Sequence, residues 1–139
     1  MADALRLTLP GRLLTLADEM PHVVALREKE LGVWREYTWR DYLDMVIRAA
    51  QALVALGVNR GDHVAILSEN RTEWLFADLA AQALGARSVG IYQTNTTQDV
   101  AYVLTHSESR IVFCEDQEQV DKVLDLGNDD VALSHIVVF

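Results

Sequence analysis

The chain has 139 residues, half of them hydrophobic and 24% charged, which suits one globular domain with a real core and leaves no disordered tail. Twelve Lys and Arg stand against twenty-one Asp and Glu, a net charge of −9. That sign opposes nucleic-acid binding, which needs clustered cations on phosphate, and opposes electrostatic adhesion to an anionic bilayer.

In chain order, residues 13–20 place Leu13, Leu14, Leu16 and Ala17 at near-helical spacing, and Pro21 ends the pattern. Two β-like runs follow, 23–26 and 33–38, joined by the charged connector REKELG, with Gly32 supplying the dihedral of the turn. They read as an antiparallel hairpin at the edge of the fold. Thr38 and Asp41 form a capping-box-like pair opening a helix. Its apolar face holds Tyr42, Leu43, Val46, Ile47, Ala50, Leu53 and Val54. Gly57 as C′ and Val58 as C″ predict a Schellman ending that sets Val58 against Leu53.

From Gly61 onward, three apolar runs alternate with helical patterns. The runs are 63–67, 88–92 and 111–114, and the pattern is that of βαβ units in a parallel sheet. Asn70 and Glu73 read as the cap of a nearly all-apolar helix over 71–84 that Gly85 ends. A helix over 99–106 buries Val100, Val103 and Leu104. Another over 117–126 is closed by Gly127, Asn128-Asp129-Asp130 make a turn, and residues 135–139 form one more strand. The fold class predicted is α/β, a mainly parallel βαβ sheet with packed helices and an N-terminal β-hairpin. Its parts are 1–38 (helix and hairpin), 39–58 (amphipathic helix) and 61–139 (βαβ units). The strand at the end of the sequence raises the expectation that the chain is the front piece of a longer polypeptide.

Ligands of open parallel sheets gather beyond the carboxyl ends of the strands, where three loops are candidates. Ser68-Glu69-Asn70 lacks the glycines of a nucleophile elbow, with Ile66 and Asn70 in their places, so helix capping accounts for it. Thr94-Asn95-Thr96-Thr97 could hold a phosphate on free backbone N–H groups, but capping by Thr96 or Thr97 is the simpler account. Glu115-Asp116 suits a helix macrodipole, and only Glu69 offers a partner for Mg²⁺. His22, His63, His106 and His135 have no zinc-ligand spacing. Trp34, Trp39 and Trp74 form no stacking platform, and neither G-x-G-x-x-G nor G-x-x-x-x-G-K-[ST] occurs. No apolar run reaches the ~18 residues of a membrane span. The sequence MADALRLTLPGRLL is not a secretory signal. Cys114, the single cysteine, reads as a buried core residue, and a reduced, cytoplasmic setting is the expectation.

Residues 10–139 as an ordered set resemble the N-terminal part of adenylate-forming (AMP-binding) enzymes, most closely the long-chain fatty acyl-CoA synthetases. The resemblance rests on Tyr37-Thr38-Trp39, Gly57-Val58 with Gly61-Asp62 and the following strand, and Asn70-Arg71-x-Glu73-Trp74. Gly90-Ile91-Tyr92 with Thr94-Asn95-Thr96, and Asp99-Val100-x-Tyr102-Val103-Leu104, complete it. It implies a parent enzyme that activates a long-chain fatty acid with ATP and Mg²⁺ and passes the acyl group to coenzyme A. The family's T-S-G-T-T-G-x-P-K-G-type loop and C-terminal lysine have no counterpart in these 139 residues. The chain alone is therefore expected to be an inactive, structural piece with no catalytic, cofactor-binding or metal-binding residue of its own. Its expected partners are the remainder of its own chain and, through exposed apolar surface, further copies of itself. The parent would be cytoplasmic, or peripheral at a membrane. A self-contained flavodoxin-like or receiver-like phosphate-binding module, or an interaction domain, is the alternative.

Overall fold

The computed structural model describes residues 7–126 and 131–139. Gly127 and the turn expected at 128–130 lie outside them. The elements are α1 (Leu9–Glu19), β1 (Val24–Glu30), β2 (Val33–Thr38), α2 (Trp39–Ala55), β3 (His63–Leu67), α3 (Thr72–Ala83), β4 (Arg87–Ile91), α4 (Thr97–Ser107), β5 (Ile111–Cys114), α5 (Gln117–Leu124) and β6 (His135–Val138).

Four parallel strands form the main sheet in the order β4-β3-β5-β6. Strand β3 is central and buried on both faces, as parallel strands covered by helices must be. Its period-2 alternation divides the core. Val64 and Ile66, with Ile111 and Phe113 of β5, face α1, α2 and α3 through Leu13, Leu53 and Phe76. Ala65 and Leu67, with Val112 and Cys114, face α4 and α5 through Val100, Leu104 and Val123. The chain thus makes three layers, helices on both sides of one sheet, in agreement with the α/β expectation.

Local chemistry sets most of the helix ends. Thr38 Oγ1 accepts from the Asp41 N–H at 3.2 Å, and the Asp41 carboxylate accepts from the Thr38 N–H at 2.9 Å. The other end of α2 is the expected Schellman motif, with the Val58 N–H on Leu53 O and the Gly57 N–H on Val54 O, both 3.0 Å. The hydrogen bonds from Thr38 hold the Asp41 carboxyl below the usual carboxylate range. A carboxylate with a depressed pKa stabilises the fold fully above its unfolded pKa, and the gain is lost as pH falls through the folded value. Thr38→Ala is therefore expected to cost about 1 kcal/mol at neutral pH and somewhat less at acid pH, where the Asp41 N–H still has Thr38 Oγ1 as its acceptor, read from urea titrations at both. No loss at either pH would count against the cap.

Three expectations are corrected. The charged run of REKELG is strand rather than connector. Arg27 pairs Glu36 at 2.8 Å across β1 and β2, Arg35 reaches Glu30 at 3.0 Å, and the turn shrinks to Leu31-Gly32, both at positive φ. The antiparallel hairpin itself forms as expected, as its own two-stranded sheet. Ile47 and Val54 of the α2 face are exposed, since α1 and α3 cover only the stripe through Leu43, Val46 and Leu53. Asn70 does not cap α3, whose N-cap Arg71 makes no side-chain cap bond. Other boundaries move by one to four residues, as where Pro10 enters the first turn of α1 and Thr8 caps it.

Candidate functional site

The strand order β4-β3-β5-β6 makes β3 the strand from which the chain winds first one way, through α3 to β4, and then back through α4 to β5. In a doubly wound sheet of this order the crevice opens between the carboxyl ends of the first and third strands, here β3 and β5. Ser68 follows β3 and Glu115 follows β5, and the two meet across that gap. One Glu115 carboxylate oxygen accepts from Ser68 Oγ at 3.1 Å and from the Glu69 N–H at 2.6 Å. Both side chains are buried. The chain's own carboxylate fills the switch point and ties the two strand ends together, a charge-assisted bond in a poorly hydrated place. Ser68 Oγ does not cap α3, which corrects the capping account of its loop. Its other acceptor is the Glu69 carbonyl at 2.9 Å.

The cap missing from α3 comes from the hairpin instead. The Glu28 carboxylate accepts from Thr72 Oγ1 at 3.0 Å and lies 3.4 Å from the Thr72 N–H, an acid at a helix N-terminus supplied from 44 residues away. Beside it, Arg71 Nε donates to Glu73 at 2.8 Å, and the guanidinium stands 5.9 Å from the Phe139 ring. The bond to Glu73 raises the Arg71 pKa. Burial works against the Glu73 carboxylate, but hydrogen bonds from Arg71, its own N–H and Thr72 outweigh it and hold its pKa below the usual range. Hairpin, α3 and the end of β6 are joined at one corner.

The two remaining candidate loops carry caps, as the simpler account of each had it. Thr96 Oγ1 accepts from the Asp99 N–H at 3.2 Å, and the Asp99 carboxylate returns to the Thr96 N–H at 3.2 Å. Asp116 accepts from the Gln119 N–H at 3.0 Å. A carboxylate therefore sits at the N-terminus of α4 and of α5, where a phosphate would otherwise be received. Lys122, which reaches this end from α5, is spent on the Gln93 carbonyl at 2.6 Å and Gln119 at 3.1 Å. Residues of this kind do not suit the phosphates of ATP or coenzyme A. Among the described residues no group of three His, Cys, Asp or Glu could hold a metal ion.

Burial pushes the Cys114 thiol up to about 12, with Asp116 and Glu115 adding to the rise, so it remains a neutral core thiol. No helix among the described residues is long and apolar enough to cross a membrane. One cavity opens at these strand ends, about 410 Å³ between the ends of β3 and β4, against Trp74 and Gly90. Two of the loops singled out in the sequence, through Ser68, Glu69, Asn70 and Thr94, help line it, whereas the Glu28 cap was missed. Gly90 was a further signal, since a Cβ there would stand 3.4 Å from the Trp74 ring.

A family model described as AMP-binding enzyme matches residues 15–139. An uncharacterized protein of Mycobacterium tuberculosis is 40% identical over 117 residues, 84% of this chain and 63% of that protein. The long-chain-fatty-acid–CoA ligase FadD15 of the same species is 35% identical over 106 residues, 76% of this chain but 18% of the ligase. Among solved structures, an anthranilate CoA ligase in complex with anthranoyl-AMP superposes with a TM-score of 0.86 at 26% identity, over 100% of this chain and 26% of its own. A Mycobacterium tuberculosis fatty acyl CoA synthetase gives 0.83 at 23% identity, over 94% of this chain and 26% of its own, a likeness of fold. The chain thus spans under two thirds of the first of these relatives and under a fifth of the FadD15 ligase. It belongs to the AMP-binding enzyme family and forms the N-terminal portion of that adenylate-forming fold, with long-chain fatty acid–CoA ligases among its named relatives.

Proposed function

We propose that this chain is the structural front piece of an ATP-dependent long-chain fatty acid–CoA ligase and has no turnover of its own. The parent would join a long-chain fatty acid to AMP, release pyrophosphate, and transfer the acyl group to coenzyme A, using Mg²⁺ and residues outside these 139. The observation that carries this reading is the commitment of the strand-end groups. Ser68, Glu115, Thr96, Asp99 and Asp116 are all paired within the chain, so none of these five stands as a free nucleophile or base. Similarity to the FadD15 ligase supplies the substrate class. In this reading residues 1–139 act as one partial subdomain whose parts are 1–38, 39–58 and 61–139. They scaffold the large domain's sheet in a cytoplasmic enzyme that meets membranes, if at all, at their surface. The phosphate-module alternative is weaker, because Asp99 occupies the position it would need.

ATP–pyrophosphate exchange on the 139-residue chain with palmitate is expected to stay at background. Clear exchange would sink the proposal. The chain also exposes Leu14, Ile47 and Val54 on α1 and α2, so it is expected to self-associate in isolation. Sedimentation velocity should show a concentration-dependent shift above the monomer, and a monomer at all concentrations would refute it.

A further inference from the structure

We propose that the cavity between the carboxyl ends of β3 and β4 binds a small organic cation, an ammonium group carried on an aromatic or aliphatic body. Its volume, about 410 Å³, is that of a small-molecule site. Trp74, Gly90 and Ile91 give it an apolar wall, with Gly90 leaving room for the indole to lie close against the strand. The rim carries Glu69, and no Lys, Arg or His lines the space. The Glu69 carboxylate is only loosely engaged, 3.5 Å from Gln93 Nε2. The rim side chains Asn70, Tyr92 and Thr94 have no partner among the described residues and are free to bond a ligand.

The choice of charge follows from the surroundings. Glu69 at the rim, Glu115 behind Ser68, and the carboxylates of Asp99 and Asp116 at two helix starts make this end of the sheet acidic. The cations nearest this end are already bonded within the chain. Lys122 is bonded to Gln93 and Gln119 and ion-paired with Glu118, and Arg71 is paired with Glu73. An anion entering here would meet the Glu69 carboxylate and no Lys, Arg or His among the lining residues. An ammonium would meet the Glu69 carboxylate and the aromatic side chains of Trp74 and Tyr92 that line the space, the combination that attracts organic cations. The chain's net charge of −9 draws cations toward it from a distance.

The test is a ¹⁵N–¹H NMR titration of the 139-residue chain with benzyltrimethylammonium chloride, and with sodium benzenesulfonate as a ring of the opposite charge. Saturable shifts are expected for the cation by roughly 10 mM, confined to the Asn70, Gly90 and Gln93 amides and the Trp74 indole, with none for the anion. Glu69→Gln, an exposed change that leaves the core untouched, should weaken the cation about tenfold, and Trp74→Leu should weaken it further. Non-saturating shifts, an equal response to the sulfonate, or unchanged affinity in Glu69→Gln would each overturn the proposal. The titration reads this cavity alone, so its outcome is separate from that of the exchange assay.

Discussion

Leu53→Ala is expected to cost the fold about 2–5 kcal/mol. Leu53 has no solvent exposure and sits where α2 meets the sheet-facing core with Val64, Phe76 and Ile111. Its carbonyl also receives the Val58 N–H of the Schellman ending, so a cavity here loosens packing beside the helix stop. Ile47 lies on the same helix and looks equivalent in the sequence, but it is 43% exposed, and Ile47→Ala should cost under about 1 kcal/mol. Urea unfolding of the two variants measures the contrast. Equal losses would mean that the core does not run beneath α2 as described.

Glu115→Ala is expected to cost about 1–3 kcal/mol, out of proportion to one side chain, because its carboxylate serves two donors at once. Without it the Glu69 N–H loses its acceptor, and Ser68 Oγ keeps only the Glu69 carbonyl, at a place from which water is largely excluded. Glu115→Gln retains a carbonyl oxygen and should recover part of the loss. The variants are compared by urea titration and by hydrogen exchange at the Glu69 amide. That amide should exchange faster in Glu115→Ala than in the unsubstituted chain, and an unchanged rate together with unchanged stability would show that the strand ends are held by something else.

These two cases also mark how far the sequence could be read. It was enough for the helices and their stops wherever donor and acceptor lie within a few residues. Thr38 with Asp41, Thr96 with Asp99, Asp116 with Gln119, and the glycines at 57 and 85 are set by geometry inside one turn. The apolar runs of β3 and β5 were equally plain, because strands buried on both faces have no polar positions to confuse the pattern. The ordered set of short motifs was enough for the family as well.

Tertiary structure decided the rest. Glu28 caps α3 across 44 residues, and Glu115 clasps Ser68 across 47, so neither pair exists until the hairpin docks and β5 lies beside β3. The charged run 27–30 became strand because its partners Arg35 and Glu36 stand opposite, a fact of register that composition does not carry. Ile47 and Val54 differ from Leu53 only in what packs over them. The Gly61–Cys114 segment by itself determined a parallel sheet and the capped start of α4, but not the cap of α3. Only the strand order determined that its crevice between β3 and β5 would be closed by a buried carboxylate, and that the open cavity would lie beside β4. The physical reason is range: caps and periodicity act over a few residues, whereas a site is made where distant strand ends converge.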